Sequence, residues 1–303
     1  MNRSRLIGRL ALAAAFVTLA GCSTPGAPPP TTTVIIPAPA PTPSLPVGWP
    51  EHAGGDTLWN LVNGNPAKGI TGCVPSQEAG VSPPKPCADV SIAGGVAGGY
   101  AVLKDRKGIG QFLVMPTQLI VGIEDSKLRA PGATNYFDPA WRVRAMSIDL
   151  IAKQYPGIVL TRDDMSVAVN SFGGRSQDLL HLHVDCLDLG VRDALHAQLA
   201  TIGRKWSAQP LTLMGHPYYA LRIDGDDTVK VDPFDVLQRG LKVPAGEMGL
   251  WTMVLAGATY SDGPGFVLLA SRADPANKWD ASGEELQGWK HDCARPGFTP
   301  PAS

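Results

Sequence analysis

The chain has 303 residues, with 26 Lys and Arg against 27 Asp and Glu and a formal net charge of −1. Three of those positives, Arg3, Arg5 and Arg9, lie in residues 1–21, so the remainder carries a balance of −4. That argues against a nucleic-acid binder, which needs a basic stripe to displace counterions. With 17% charged and 44% hydrophobic residues the chain reads as globular rather than disordered. Its length allows one large domain or two small ones.

The three arginines precede an apolar run from Leu10 to Ala20. A basic stretch followed by so short an apolar one reads as a signal peptide over 1–21, too short for a stable spanning helix. The run ends Leu19-Ala20-Gly21-Cys22, which resembles a bacterial lipobox. The resemblance implies cleavage before Cys22 and its lipidation through a thioether, with palmitate among the acyl groups. The protein would then be exported and anchored on the extracytoplasmic side of a bacterial membrane. The alternative is an ordinary signal peptide with a chance cysteine. Residues 22–50 hold the lipidated Cys22 and a Pro/Thr-rich tether, where proline fixes φ and removes donors, so no ladder or helix can include it. In polyproline geometry such a segment reaches about 85 Å. The chemistry is expected in a single domain over 51–303.

Four cysteines lie in that domain: Cys73, Cys87, Cys186 and Cys293. An even count in an exported domain reads as two disulfides; a zinc site is the alternative, but no close cysteine pair suggests one. Of three possible pairings we favour Cys73–Cys87, closing a Pro-rich loop, and Cys186–Cys293, tying the tail to the core.

In chain order, Thr57 to Val62 reads as a short helix, followed by a Gly/Pro-rich loop holding both early cysteines. Tyr100–Lys104 and Phe112–Met115 read as strands of a hairpin, with Lys107-Gly108 in the turn and Pro116 as the stop. Asp138-Pro139 reads as a cap followed by proline at the first helical position. The helix it opens has an apolar face of Trp141, Ala145, Ile148, Ile151 and Ala152, and ends at Pro156. Met165–Val169 reads as a strand, Gly173-Gly174 as a turn, and Leu180–Cys186 as the next strand. An amphipathic helix follows with Val191, Leu195, Leu199, Ile202 and Trp206 on one side. Tyr218–Ile223, Trp251–Leu255 and Phe266–Ala270 read as strands, with a short helix over Pro233–Arg239. Strands outnumber helices and hairpins need no long crossovers, so the expected class is α+β: an antiparallel sheet with packed helices, extended by C-terminal strands.

The informative stretch runs from Val169 to Cys186. Residues two apart share a face of a strand, so His181, His183 and Asp185 point one way, and Leu180, Leu182, Val184 and Cys186 point into the core. Three readings compete for the polar set. It is the solvated face of an amphipathic strand, or a metal site of His181, His183 and Asp185, or a nucleophilic histidine with a second beside it. His52, His196 and His291 read as surface residues. Gly94 to Gly99 precedes a strand rather than joining strand to helix, so it lacks the context of a phosphate loop. Without a G-x-S-x-G motif, a serine esterase is not supported.

Asn170, Gly173-Gly174, Gln177, His181 and His183 fall at the spacings of the histidine triad motif of nucleotide hydrolases and transferases, with Asp185 in place of the last histidine. Gly110-Gln111-Phe-Leu-Val-Met-Pro116 resembles that family's His-Phe-Leu-Val-x-Pro strand, with Gln111 for histidine. These departures, together with Leu103-Lys104-Asp105, Met115-Pro116-Thr117, Cys186, Gly215-His216-x-Tyr218 and Phe266 to Ala270, resemble one exported branch, the CDP-diacylglycerol pyrophosphatases. The resemblance covers roughly residues 57–295.

It implies a HIT-like fold and hydrolysis of the phosphoric anhydride of CDP-diacylglycerol to CMP and phosphatidate, at a membrane surface reached through the lipid anchor. The catalytic set would be His183 as nucleophile, His181 holding the site's hydrogen bonds, and Gln177 and Asn170 donating to phosphoryl oxygens. The ring of His183 would be fixed by a hydrogen bond, usually to a backbone carbonyl. Substrate would also meet Gln111, Asp105, Lys104 and His216, although a histidine placed like His216 is more often structural. The expected chemistry uses neither metal nor cofactor. Two rival functions are a HIT-like hydrolase of soluble nucleotide pyrophosphates and a lipoprotein that binds nucleotide or lipid without turnover.

Overall fold

The computed structural model describes His52, residues 55–288 and Cys293. The expected signal peptide, Cys22, the tether over 22–50 and His291 lie outside these residues. The described chain opens with two short helices, α1 (Thr57–Asn63) and α2 (Cys73–Glu78), then β1 (Asp89–Ser91), β2 (Tyr100–Lys104) and β3 (Phe112–Pro116). Helix α3 (Phe137–Gln154) follows, then β4 (Met165–Val169), β5 (Leu182–Cys186) and α4 (Leu189–His196). The last part holds β6 (Leu211–Leu213), β7 (His216–Asp224), α5 (Pro233–Gly240), β8 (Trp251–Tyr260) and β9 (Gly263–Arg272). Among the described residues the strands form one nine-stranded sheet in the order β1-β2-β3-β5-β4-β8-β9-β7-β6. Every pairing is antiparallel. This is the mixed helix and strand class the sequence implies.

Alternation along the strands sorts side chains between two covered faces. On one, Val114, Val167, Leu182, Val184, Leu255 and Leu268 meet Phe137 and Trp141 of α3 and Phe234 and Leu237 of α5. The opposite face carries two separate apolar clusters. Ala101, Leu113 and Met115 pack with Leu58, Val62, Cys73 and Cys87 near α1 and α2. Val254, Ala256, Val267 and Leu269 pack with Val191, Leu195, Trp279 and Leu286. Between these clusters lie Gln111, just before β3, His183 and Asp185 of β5 and Ser166 of β4, a polar stripe on an otherwise apolar face.

Several elements differ from the sequence reading. The early loop contains α2, which begins at Cys73 itself. Helix α3 starts at Phe137 because Asn135 Oδ1 accepts the Phe137 N–H (3.1 Å). Asp138 sits inside the first turn, where its Oδ1 accepts the Val229 N–H (2.9 Å). The cap-then-proline pattern operates instead at α5, where Asp232 accepts the Phe234 N–H and Pro233 takes the first helical position. The buried side of α3 is rotated from the expected one: Ser147 and Val143 are buried, and Ala145 and Ala152 are exposed. Helix α4, capped by Asp188 on Gly190 and Val191 N–H, ends at His196. Trp206 therefore lies beyond it in a loop and donates to Val236 O (3.3 Å). Strand β5 begins two residues later than expected, because the Leu180 N–H bonds Ile120 O in a loop (2.6 Å). The short strands β1 and β6 carry too few residues for a period-two pattern to show.

Both favoured disulfides form: Cys73–Cys87 and Cys186–Cys293. The second closes a separation of 107 residues and anchors the C-terminal segment directly after the histidine strand. Replacing both Cys186 and Cys293 by alanine is expected to cost roughly 3–5 kcal/mol of stability. Urea unfolding of the double variant against the parent measures it; a midpoint unchanged from the parent would show that the bridge carries no stability.

Candidate active site

The segment 280–288 forms a strap over the polar stripe of β4 and β5. Ala281 O accepts the Ser171 N–H (3.1 Å), Leu286 O the Asp188 N–H (2.9 Å), and Cys186 O the Gly288 N–H (2.9 Å). Ser171 Oγ also donates to Asp280 O. Gln287 Nε2 donates to Ser166 Oγ (3.0 Å) and to the backbone oxygen of His183 (3.0 Å). The turn at Gly173-Gly174 permits this closeness, since a Cβ on Gly174 would lie 2.9 Å from Ser282 Cα. The strap converts an outward-facing stripe into a buried one.

Under it His181 is 7% exposed, His183 5%, Asp185 1% and Gln111 0%. The solvated-face reading is therefore excluded. The two imidazoles meet edge to face with centroids 4.9 Å apart. His181 Nδ1 donates to Leu179 O (2.7 Å), which fixes its tautomer and leaves Nε2 with the lone pair. Leu113 pairs with His183 across the β3–β5 ladder, and Phe112 with Val184. Gln111, the residue before β3, continues this register beside Asp185, on the same face as His183.

The backbone carbonyl expected on His183 is found on His181 instead. His183 Nδ1 faces a carboxylate: Glu284 Oε2 stands 3.2 Å away. The approach is off the hydrogen-bond line, so both nitrogens of His183 lack an aligned partner, as do both amide atoms of Gln111 and Asp185 Oδ2. The other oxygen of Asp185 accepts the Cys186 N–H (2.9 Å). Cys293 Sγ, 3.9 Å from that oxygen, is a disulfide sulfur with no proton to donate. The Cys186 and Cys293 sulfurs lie within 4.8 Å of an Asp185 oxygen, but their mutual bond leaves no thiolate to hold a metal.

Burial pulls both imidazoles down to about 4, so both are neutral at pH 7. A neutral ring is what a nucleophilic histidine requires. Burial pushes the Asp185 carboxyl up to about 7, opposed by the Cys186 N–H and the Lys104 charge. Between its ordinary value of 3.8 and about 7, Asp185 keeps its proton in the folded protein and loses it in the unfolded chain. Its contribution to stability is thus present at acid pH and lost as pH rises through 7. The melting temperature of the parent relative to Asp185→Asn is expected to fall between pH 5 and pH 8. A difference flat over that range would place the ionised form of Asp185 in the fold.

The other expected site residues divide. Asn170 is buried at the edge of the stripe, where Nδ2 donates to Gly174 O (3.1 Å) and toward Glu284 Oε1 (3.4 Å) and Oδ1 accepts the Glu284 N–H (3.1 Å). Asp105 sits in the β2–β3 loop, near enough for its charge to act on His183 and Asp185. Lys104 Nζ is turned back onto Asp105 O (2.7 Å) and Gly108 O (2.9 Å), where it shapes that loop. Gln177 joins its own loop to α1, its Oε1 accepting the Leu58 N–H (3.3 Å) and its Nε2 donating to Ser176 O (3.0 Å). His216 stacks on Trp279 at 3.6 Å, at the start of β7, four places from β5 in the sheet. His52 is not a surface residue. Its side chain is 8% exposed, stacked on Phe172, with its two ring nitrogens 2.8 Å from Asp178 Oδ1 and 3.0 Å from Phe172 O.

Sequence reasoning missed Glu284, Gln287, Arg175 and Lys107. Arg175 is buried against Glu124 (2.8 and 2.5 Å) and Asp178 (3.3 Å), and its charge lowers His181. Lys107, on the β2–β3 loop, acts electrostatically on His183 and Glu284. Glu284 and Gln287 reach the site only through the strap, more than 100 residues from the histidines, and no local pattern marks them.

An antiparallel α+β scaffold that buries a neutral histidine pair among unpartnered amide and carboxyl groups defines an enzyme site. The sequence profile described as CDP-diacylglycerol pyrophosphatase matches residues 53–295. A CDP-diacylglycerol pyrophosphatase of Yersinia pestis is 35% identical over 238 residues, covering 78% of this chain and 84% of that protein. The chain belongs to the CDP-diacylglycerol pyrophosphatase family.

Proposed function

We propose that the protein hydrolyses the pyrophosphate of CDP-diacylglycerol to CMP and phosphatidate through a cytidylyl-histidine at His183, on a HIT-like arrangement of strands. The observation that carries this reading is the set of buried, unpartnered polar atoms on one face of β3 and β5: both ring nitrogens of His183, the Gln111 amide and Asp185 Oδ2. Such atoms cost stability unless a ligand completes them. A pyrophosphate supplies what they lack: an electrophilic phosphorus for the imidazole and oxygens for the amide donor.

In the first step a nitrogen–phosphorus bond forms between His183 and the cytidine-side phosphorus, and the bridging oxygen leaves with the bonding pair as phosphatidate. In the second, water attacks the same phosphorus and the nitrogen–phosphorus bond breaks, releasing CMP and one proton. One hard displacement becomes two easier ones. Gln111 Nε2 stabilises charge on the phosphoryl oxygens. It cannot titrate, and a phosphate-ester leaving group needs no proton from it. His181, held by Leu179 O, packs against His183 and limits its rotation.

The lipobox-like ending at Cys22 and the tether over 22–50 support anchoring at the outer side of a membrane, where a lipid substrate is found. Among the described residues no helix is long and apolar enough to cross a membrane. The test follows CMP released by the intact protein from CDP-diacylglycerol in mixed micelles and from soluble nucleotide pyrophosphates. Release from the lipid substrate is expected. Release from soluble substrates alone would move the assignment to them, and release from neither would favour a binding protein.

A further inference from the structure

Of the groups within reach of the His183 ring, Glu284 is held where the ring needs a partner. The carboxylate is fixed by a reciprocal pair with Asn170: the Glu284 N–H donates to Asn170 Oδ1 (3.1 Å), and Asn170 Nδ2 reaches Glu284 Oε1 (3.4 Å). The remaining oxygen, Oε2, faces His183 Nδ1 at 3.2 Å. The strap that presents Glu284 is also tied to the histidine strand itself, through Gln287 Nε2 on His183 O (3.0 Å) and Cys186 O on the Gly288 N–H (2.9 Å). The ring and the carboxylate are thus referenced to one backbone. A side chain 18% exposed, with one oxygen on an amide and one on an imidazole, is placed for a purpose beyond solubility.

We propose that Glu284 is the positioning residue of the nucleophile: its Oε2 accepts the proton on His183 Nδ1, presents Nε2 to phosphorus, and balances the positive charge of the ring while Nε2 carries the nucleotide. This rests on the reading of His183 as nucleophile. The balance is complete without any added reactant. Neutral His183 enters with its proton on Nδ1. When Nε2 bonds phosphorus the ring becomes cationic, and it keeps that proton against the carboxylate. When water displaces CMP, the bonding pair returns to Nε2 and the ring is neutral again. Asn170, expected to bind a phosphoryl oxygen, serves in this arrangement to hold Glu284. A small rotation of ring or carboxylate brings the pair into line, as commonly happens when substrate closes a site.

The test uses rapid quench in alkali, in which the nitrogen–phosphorus bond survives, with CDP-diacylglycerol labelled in its cytidine. Full-length parent, Glu284→Gln, Glu284→Asp and His183→Ala are compared for the rate of labelled adduct formation and for kcat and KM. Glu284→Gln keeps the size and the Asn170 contacts but can donate to Nδ1 and favour the wrong tautomer. It is expected to slow adduct formation about 10³-fold, with KM within about threefold of the parent and an unchanged melting temperature. Glu284→Asp, which restores a carboxylate, is expected to recover at least about a tenth of the parent rate. Adduct formation by Glu284→Gln at the parent rate would overturn the role of Glu284 alone. Equal loss in the Gln and Asp variants with lowered melting temperatures would make Glu284 a packing residue and also overturn it. Absence of adduct in the parent, with activity kept by His183→Ala, would instead remove the nucleophile and the proposal with it.

Discussion

Alanine at His183 is expected to lower CMP release from CDP-diacylglycerol by at least about 10⁴-fold, because a covalent route loses its nucleophile and no neighbouring group replaces it. The same substitution is expected to leave the fold intact. Neither ring nitrogen of His183 has an aligned partner, and Glu284 Oε2, which faces Nδ1 at 3.2 Å, belongs to a side chain 18% exposed that water can reach once the ring is gone. The ring is neutral at pH 7 and its removal leaves no buried charge behind, so the cost is its edge-to-face packing against His181. A melting temperature within about 3 °C of the parent is expected, corresponding to roughly 1 kcal/mol for a domain of this size. Near-normal CMP release would reject the assignment of His183, and unfolding of the variant would show the ring to be structural.

Gln111→Met should separate function from stability in the same way. Gln111, just before β3, is wholly buried, and both atoms of its amide lack partners. An unsatisfied buried amide costs about 1–3 kcal/mol, so methionine of similar length is expected to stabilise the protein by an amount of that order. If the amide donates to a phosphoryl oxygen in the transition state, its removal lowers kcat about 10²–10³-fold. Urea unfolding and steady-state CMP release read the two effects independently. A stabilised variant with full activity would place Gln111 outside the reaction, and a destabilised one would mean its amide is satisfied within the protein.

Much of the sheet was legible because alternation is a local property. Strands β2 and β4 have the bounds that their short apolar, β-prone runs imply, and the side of β5 that carries the histidines follows from alternation. The helices were less legible. Alanine is neutral to burial, so Ala145 and Ala152 were read as core, while Ser147, buried in α3, carries no apolar signal. Trp206 fitted the period of α4, but that helix stops at His196 and the indole is claimed by Val236 O of α5. The site divides along the same line. His181 and His183 share a face by strand geometry, and Gln111 joins them through the family resemblance. Their burial could not be read there, because it comes from a strap that begins almost 100 residues later. Glu284 lies in the sequence Ser-Gly-Glu-Glu-Leu, with nothing to distinguish it from a surface acid. His52 was misread for the same reason: its partners Asp178 and Phe172 are more than 100 residues away.

The central claim is that phosphorus is displaced twice, first by His183 and then by water. Each in-line displacement inverts the configuration at phosphorus, so two restore it. CDP-diacylglycerol made chiral by sulfur at the cytidine-side phosphorus, hydrolysed in oxygen-18 water, is expected to give a CMP thiophosphate with retained configuration. Inverted product would mean that water attacks directly and that His183 never carries the nucleotide.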